Sequence, residues 1–187
     1  MRVMVLSAMS REDSSVYIMA KEIAGMCEQD GVEVDFCHPA EAGLPVNDGT
    51  VPWDLPEVLA WQGRIATIDA HIWVSPEYHS GMTGGMKNLF DYLNKEPMKG
   101  DVVGLCALAG GGMAALNTLN GMSVIARSLG AWVAPDYVAL NSNEVKEGLL
   151  EGSTKRVQAM VLDVIDGARR LQAGLGGDPI VAEPSVG

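Results

Sequence analysis

The chain has 187 residues, 48% of them hydrophobic, with a mean hydropathy of +0.12; it is long enough to bury one sizeable core and too apolar to be disordered. Lys and Arg total 13 against 24 Asp and Glu, a net charge of −11, which disfavours nucleic acid and anionic membrane surfaces and leaves any anionic ligand to be held by local donors. No apolar run is long enough to cross a bilayer, the N-terminus lacks a signal-peptide pattern, and Cys27, Cys37 and Cys106 form no C-x-x-C pair, so a cytoplasmic protein without a disulfide framework or zinc site is expected.

Met1 to Leu6 reads as a buried first strand, followed by a polar loop from Ser7 to Ser15. Val16, Met19, Ala20, Ile23, Ala24 and Cys27 hold a helical stripe that Gly31 ends. Val32, Val34 and Phe36 alternate with Glu33 and Asp35, as in a half-buried second strand. His38 to Asp54, with three prolines and two glycines, is long for a structureless connection and reads as functional or as a subunit contact. Val58, Trp61, Ile65 and Ile68 predict a second helix and Ala70 to Val74 a third strand; His71 within it is expected to be packed in the core, and His38 to be solvated.

The next stretch, Ser75 to Leu93, is a strand end, a loop of turn formers and a helix start. Met86, Leu89, Phe90 and Leu93 give the helical stripe, and Thr83 is a candidate N-cap. Asp101 to Ala109 predicts a fourth strand ending in Gly110-Gly111-Gly112. A helix follows through Ala115, Leu119, Met122, Ala126 and Leu129, then a fifth strand near Trp132 to Leu140, broken at Pro135. The last helix carries Val157, Met160, Val161, Val164, Ile165, Ala168 and Leu171, with Ser153 or Thr154 as cap. One domain over residues 1–172 and a loose tail over 173–187 are expected.

Strands alternating with helices predict an α/β fold with a parallel sheet. With no G-x-G-x-x-G after strand one, the flavodoxin-like order 2-1-3-4-5 is favoured, helices covering both faces. That order brings the loops after strands one, three and four to one switch point. The first offers Ser7, Ser14 and Ser15, the guanidinium of Arg11 and a helix N-terminus, the array a phosphate needs; a capped helix with a solvated arginine accounts for the same residues. The second offers Pro76, Glu77, Tyr78, His79 and Ser80, with Gly81, Gly84 and Gly85 allowing backbone near a flat or phosphorylated ligand. The third, Gly110, Gly111 and Gly112, can lay bare backbone against a ring or form a bare turn.

Pro76-Glu77-Tyr78-His79, a glycine-bearing turn and Lys87-Asn88 followed by Asp91-Tyr92-Leu93 together resemble the signature of the NADPH-dependent FMN reductase family. The first loop resembles that family's Ser-Gly-Ser-x-Arg-x-x-Ser-x-Asn phosphate loop at Ser7, Arg11 and Ser14, and departs from it at Ala8, Met9 and Val16, which puts part of the phosphate grip in doubt. The resemblance implies bound FMN, with the three loops around it and His79 lining the ring. It implies hydride transfer from NADPH or NADH through the flavin to a small-molecule acceptor such as a flavin, a quinone, an azo dye or an oxidised metal species, and a homodimer or homotetramer. The flavin does the chemistry, so no side chain is named as catalytic. Glu77 is expected to point away from the ring, because a carboxylate there opposes a flavin gaining an electron pair. No second basic cluster marks a 2′-phosphate site. A non-enzymatic flavodoxin-type electron carrier is the alternative; it suits the acidic charge but lacks the Thr-x-Thr-Gly-x-Thr loop.

Overall fold

The computed structural model describes residues 1–110 and 115–175. Strands β1 (Arg2–Ser7), β2 (Glu33–Cys37), β3 (Ala70–Pro76), β4 (Val102–Ala109) and β5 (Trp132–Asn141) form one sheet of order β2-β1-β3-β4-β5, with every neighbouring pair parallel. The helices between them are α1 (Ser15–Gln29), the short α2 (Pro39–Ala42), α3 (Pro56–Ile65), α4 (Gly84–Asp91), α5 (Leu116–Ser128) and α6 (Glu151–Leu175). This is the expected three-layer, flavodoxin-like arrangement. No helix among the described residues is long and apolar enough to cross a membrane.

Period-two alternation divides the strands between two cores. Val3, Val5, Ile72, Val74, Cys106 and Leu108 face α1 and α6. Met4, Leu6, Trp73, Val103 and Leu105 face α3, α4 and α5. Between β4 and α6 the layers meet closely at Gly104, where a Cβ would come within 2.6 Å of Met160 Sδ and Val164 Cγ2.

Four expectations change. On β2, Val34 and Phe36 pack against the α1 side as the alternation implies, but Asp35 on the other face is buried as well. It is held by Arg2 Nη2 at 2.8 Å and Arg64 Nη2 at 2.5 Å. Pairing is what makes a buried carboxylate tolerable, and it cannot be read from a local pattern. Next, α6 begins at Glu151, so Ser153 and Thr154 lie inside it; their hydroxyls donate to Glu144 Oε1 and to Leu150 O. The same helix continues through Leu175, so residues 173–175 are helical where a loose tail was expected, while residues 176–187 lie outside the described residues. Finally, His38 is a helix cap whose Nδ1 accepts the Glu41 N–H at 3.2 Å. His71 is buried as expected, its Nε2 3.0 Å from Asp101 Oδ2.

All three cysteines are buried. Burial pushes the Cys27 and Cys37 thiols up to about 12 and Cys106 upward as well, so none is available as a thiolate nucleophile near neutral pH.

Candidate functional site

The carboxyl ends of the strands open into a cleft of about 240 Å³. Met9, Arg11, Ser14, Ser15 and Val16 line it from the first loop and the first turn of α1. Pro76, Glu77 and Tyr78 line it after β3; Leu108, Ala109 and Gly110 at the end of β4; Ser142 after β5. The three separate loops picked out in the sequence thus converge because β1, β3 and β4 are adjacent, where open α/β sheets bind ligands.

The hydroxyls in this cleft are not equivalent. Ser7 is buried, and its O–H donates to Met9 O at 2.7 Å while its oxygen receives the Met9 N–H, so it shapes the loop from beneath and does not line the cleft. Ser15 donates to Val145 O at 3.2 Å. Ser14 caps α1 by accepting the Tyr17 N–H at 3.2 Å, which leaves its proton free to donate. Helix geometry leaves the N–H groups of Ser15 and Val16 without intrahelical acceptors. Arg11 is exposed, its Nε 3.2 Å from Asp13 Oδ1. An exposed cation beside Asp13, one free hydroxyl proton and two amides at a helix N-terminus are the kind of donors an anion site needs.

The loop after β3 is organised by backbone. The Glu77 N–H donates to Leu108 O at 2.7 Å, and Tyr78 and Gly81 exchange N–H···O bonds of 2.8 and 3.1 Å around a two-residue turn. His79 and Ser80 occupy that turn with φ of 49° and 65°, the left-handed pair of a type I′ hairpin, normally filled by Asn-Gly. Both are exposed at the tip and neither lines the cleft, contrary to the role expected of them. The positive φ therefore falls on His79 and Ser80 rather than on Gly81. Gly85 lets α4 approach another element rather than a ligand: a Cβ there would sit 3.3 Å from Pro39 Cβ.

Glu77 is half-buried, and its carboxylate is turned to α5. Its Oε2 accepts the Thr118 N–H at 3.0 Å, capping α5 from outside the helix, where Ala115 at the N-cap position supplies no side-chain bond. The carboxylate is thereby spent on the positive end of a helix dipole. Gly111 and Gly112 lie outside the described residues; Gly110 is at the cleft edge. The sequence reading missed Leu108, which with Ala109 makes an apolar wall at the end of β4, and Ser142, in the polar run Asn141-Ser142-Asn143-Glu144. The rule that ligands sit at strand carboxyl ends pointed to Ser142 once β5 was placed next to β4.

A cleft with an anion site at one end and a buried apolar wall with open backbone at the other suits a flat ring carrying a phosphate. The family model described as NADPH-dependent FMN reductase matches residues 1–144. An NADPH azoreductase of Bacillus sp. (strain OY1-2) is 30% identical over 156 residues, covering 83% of this chain and 85% of that one. The NADPH-dependent FMN reductase ArsH of Acidithiobacillus ferrooxidans is 29% identical over 155 residues, covering 80% of this chain and 62% of that one. Among solved structures, FerB, a flavoenzyme NAD(P)H:(acceptor) oxidoreductase from Paracoccus denitrificans, superposes with a TM-score of 0.74 at 20% identity, covering 90% of this chain and 97% of that one. The sheet order, the cleft at its switch point and the family match over most of the chain make one conclusion: this chain belongs to the NADPH-dependent FMN reductase family, flavoproteins that use FMN and NAD(P)H.

Proposed function

We propose that this chain holds FMN in the cleft at the ends of β1, β3, β4 and β5 and passes reducing equivalents from NAD(P)H to an aromatic small-molecule acceptor: an azo dye, a quinone or a free flavin. The observation that carries the reading is the convergence in one cleft of the α1 N-terminus, the β3 loop and the end of β4. The names of the relatives, one an azoreductase and one an FMN reductase, support the acceptor class.

The residues present fit the cofactor. Ser14 Oγ–H, the free amides of Ser15 and Val16 and the Arg11 guanidinium meet the phosphate; the side chains of Met9 and Val16, where the family pattern has other residues, add apolar contact and no donor. Tyr78, Gly110 and the Leu108–Ala109 wall border the ring, which is held by shape and backbone. Bound FMN supplies the hydride chemistry. Glu77, bonded to Thr118, keeps its charge off the ring and fixes the loop to α5.

Arg11→Ala removes a charge-assisted bond and weakens FMN binding about ten- to a hundredfold. Fluorescence titration of FMN into both apoproteins measures this, and equal dissociation constants refute the assignment. Anaerobic NADPH or NADH must bleach the yellow holoprotein without a partner protein; a chain that binds FMN and stays yellow is an electron carrier instead. Steady-state assays with an azo dye, a quinone and free FMN rank the acceptors.

The proposal includes a homo-oligomer, a dimer or tetramer. Val46 and Trp53, on the segment between α2 and α3, are 78% and 45% exposed and need a covering surface. Light scattering at micromolar concentration is expected to give a multiple of 19.8 kDa, and a monomer mass overturns it.

A further inference from the structure

We propose that the groove between α5 and β5 seats the 2′-phosphoadenosine half of NADPH, an inference that rests on the reading of the neighbouring cleft as the flavin site. The groove encloses about 470 Å³, within the range of small-molecule sites. Leu116, Asn120, Ser123, Val124 and Arg127 line it along one face of α5, and Tyr137 lines it from β5.

Three observations point to this ligand. First, the polar groups are unused. Among the described residues, the side chains of Asn120, Ser123 and Arg127 have no hydrogen-bond or ion-pair partner. Arg127 is therefore a free guanidinium in a chain of net charge −11. Its planar fork matches a phosphate monoester, and Asn120 can pair with the edge of an adenine as carboxamides do. Second, the apolar part is open. Leu116, Val124 and Tyr137 are 50%, 64% and 55% exposed, and an aromatic face beside aliphatic side chains is a platform for a purine. Third, the Leu116 end of the groove lies beside the flavin cleft. Thr118, whose N–H is bonded to Glu77 of that cleft, is two residues, about 3 Å of helix rise, from Leu116. From Leu116 to Arg127 the helix rises roughly 16 Å at about 1.5 Å per residue, a span of the order that separates the two ends of an extended dinucleotide. The nicotinamide end then reaches the flavin while the phosphate end reaches Arg127. One cation at the end of a groove thus serves the 2′-phosphate, for which no basic cluster is visible in the sequence.

A second copy of the chain suits this face less well. An isologous contact over the groove buries Arg127, Asn120 and Ser123 on both copies with no opposite charge in the groove to receive them.

Isothermal titration of the FMN-loaded protein with 2′,5′-ADP and 5′-ADP tests the inference. The wild type is expected to bind 2′,5′-ADP about tenfold or more tightly than 5′-ADP. Arg127→Ala is expected to erase that difference, Arg127→Lys to restore part of it, and the ratio of KM for NADPH to KM for NADH to rise about tenfold in Arg127→Ala. No binding of 2′,5′-ADP by the wild type overturns the proposal, as does equal discrimination in Arg127→Ala. Conversion of an oligomer to monomers by Val124→Asp also overturns it, because a second copy then covers the groove. If FMN binds and NADPH bleaches it while 2′,5′-ADP ignores Arg127, the groove assignment fails and the function stands. If FMN does not bind, the function fails and the 2′,5′-ADP titration of the apoprotein still decides the groove.

Discussion

His79 and Ser80 hold left-handed backbone without being glycine, a conformation that costs an L-residue about 1–2 kcal/mol. The cost is borne next to a ligand cleft, in a turn locked by the paired bonds between Tyr78 and Gly81, and such strain is characteristic of functional loops. Ser80→Gly relieves it, and the expected gain is about 1 kcal/mol in urea unfolding of the apoprotein; an unchanged midpoint with an unchanged slope means that the strain is not there. Gly81, whose φ is not in the left-handed region, has only Tyr78 O within 4 Å of a built Cβ, at 3.9 Å, and tolerates a side chain better than its place in a turn suggests. At this scale the sequence announced a tight turn through its residue types but not which residues carry the positive φ. That is set by the Tyr78–Gly81 bridge, which leaves His79 and Ser80 as the two turn residues.

Two carboxylates tie elements together at the cleft end of the sheet. Glu77 joins the β3 loop to α5. Glu144 accepts the Asn141 N–H at 2.7 Å and the Ser153 O–H at 2.8 Å, linking the exit of β5 to the first turn of α6. The Asn141 amide first, and then the Ser153 hydroxyl, hold the Glu144 carboxyl below its ordinary range. A folded-state pKa below the unfolded value means that the contribution to stability is present above about pH 4.3 and is lost as pH falls through the lower folded value. Glu144→Gln is therefore expected to lower the urea midpoint at pH 7 and to converge on the wild type only as pH falls through the lowered folded value. A difference that stays constant over that range overturns the electrostatic account. The sequence carried the helices and strands of this region through their periodicity, yet placed the cap of α6 at Ser153 or Thr154. The helix starts at Glu151, and the link to Glu144 accounts for Ser153 inside it.

The whole molecule is a sheet covered on both faces, and β4 and α6 approach closely at Gly104. Gly104→Ala drives a methyl into Met160 and Val164, and overpacking of this kind costs about 1–3 kcal/mol. Thermal unfolding measures it, and Gly104→Ala combined with Val164→Ala is expected to recover part of the loss. A Gly104→Ala protein as stable as the wild type shows that α6 can slide. The sequence by itself determined the number and order of the strands and of the five longer helices, because their apolar periods are local, though not the one-turn α2; it determined the sheet order, because the crossovers of parallel strands leave few topologies; and it placed the cleft residues Arg11, Ser14, Ser15, Pro76, Glu77, Tyr78 and Gly110 by loop and element end. Only the tertiary structure decided which hydroxyls are free. Ser7 and Ser15 look like Ser14 in sequence, but their protons go to Met9 O and Val145 O. Only the tertiary structure turned Glu77 toward Thr118, paired Asp35 with Arg2 and Arg64, and left Arg127 without a partner among the described residues, beside a groove. A hydrogen bond or an ion pair is fixed by which distant group arrives at bonding distance, and that follows from the packing of whole elements rather than from any pattern along the chain.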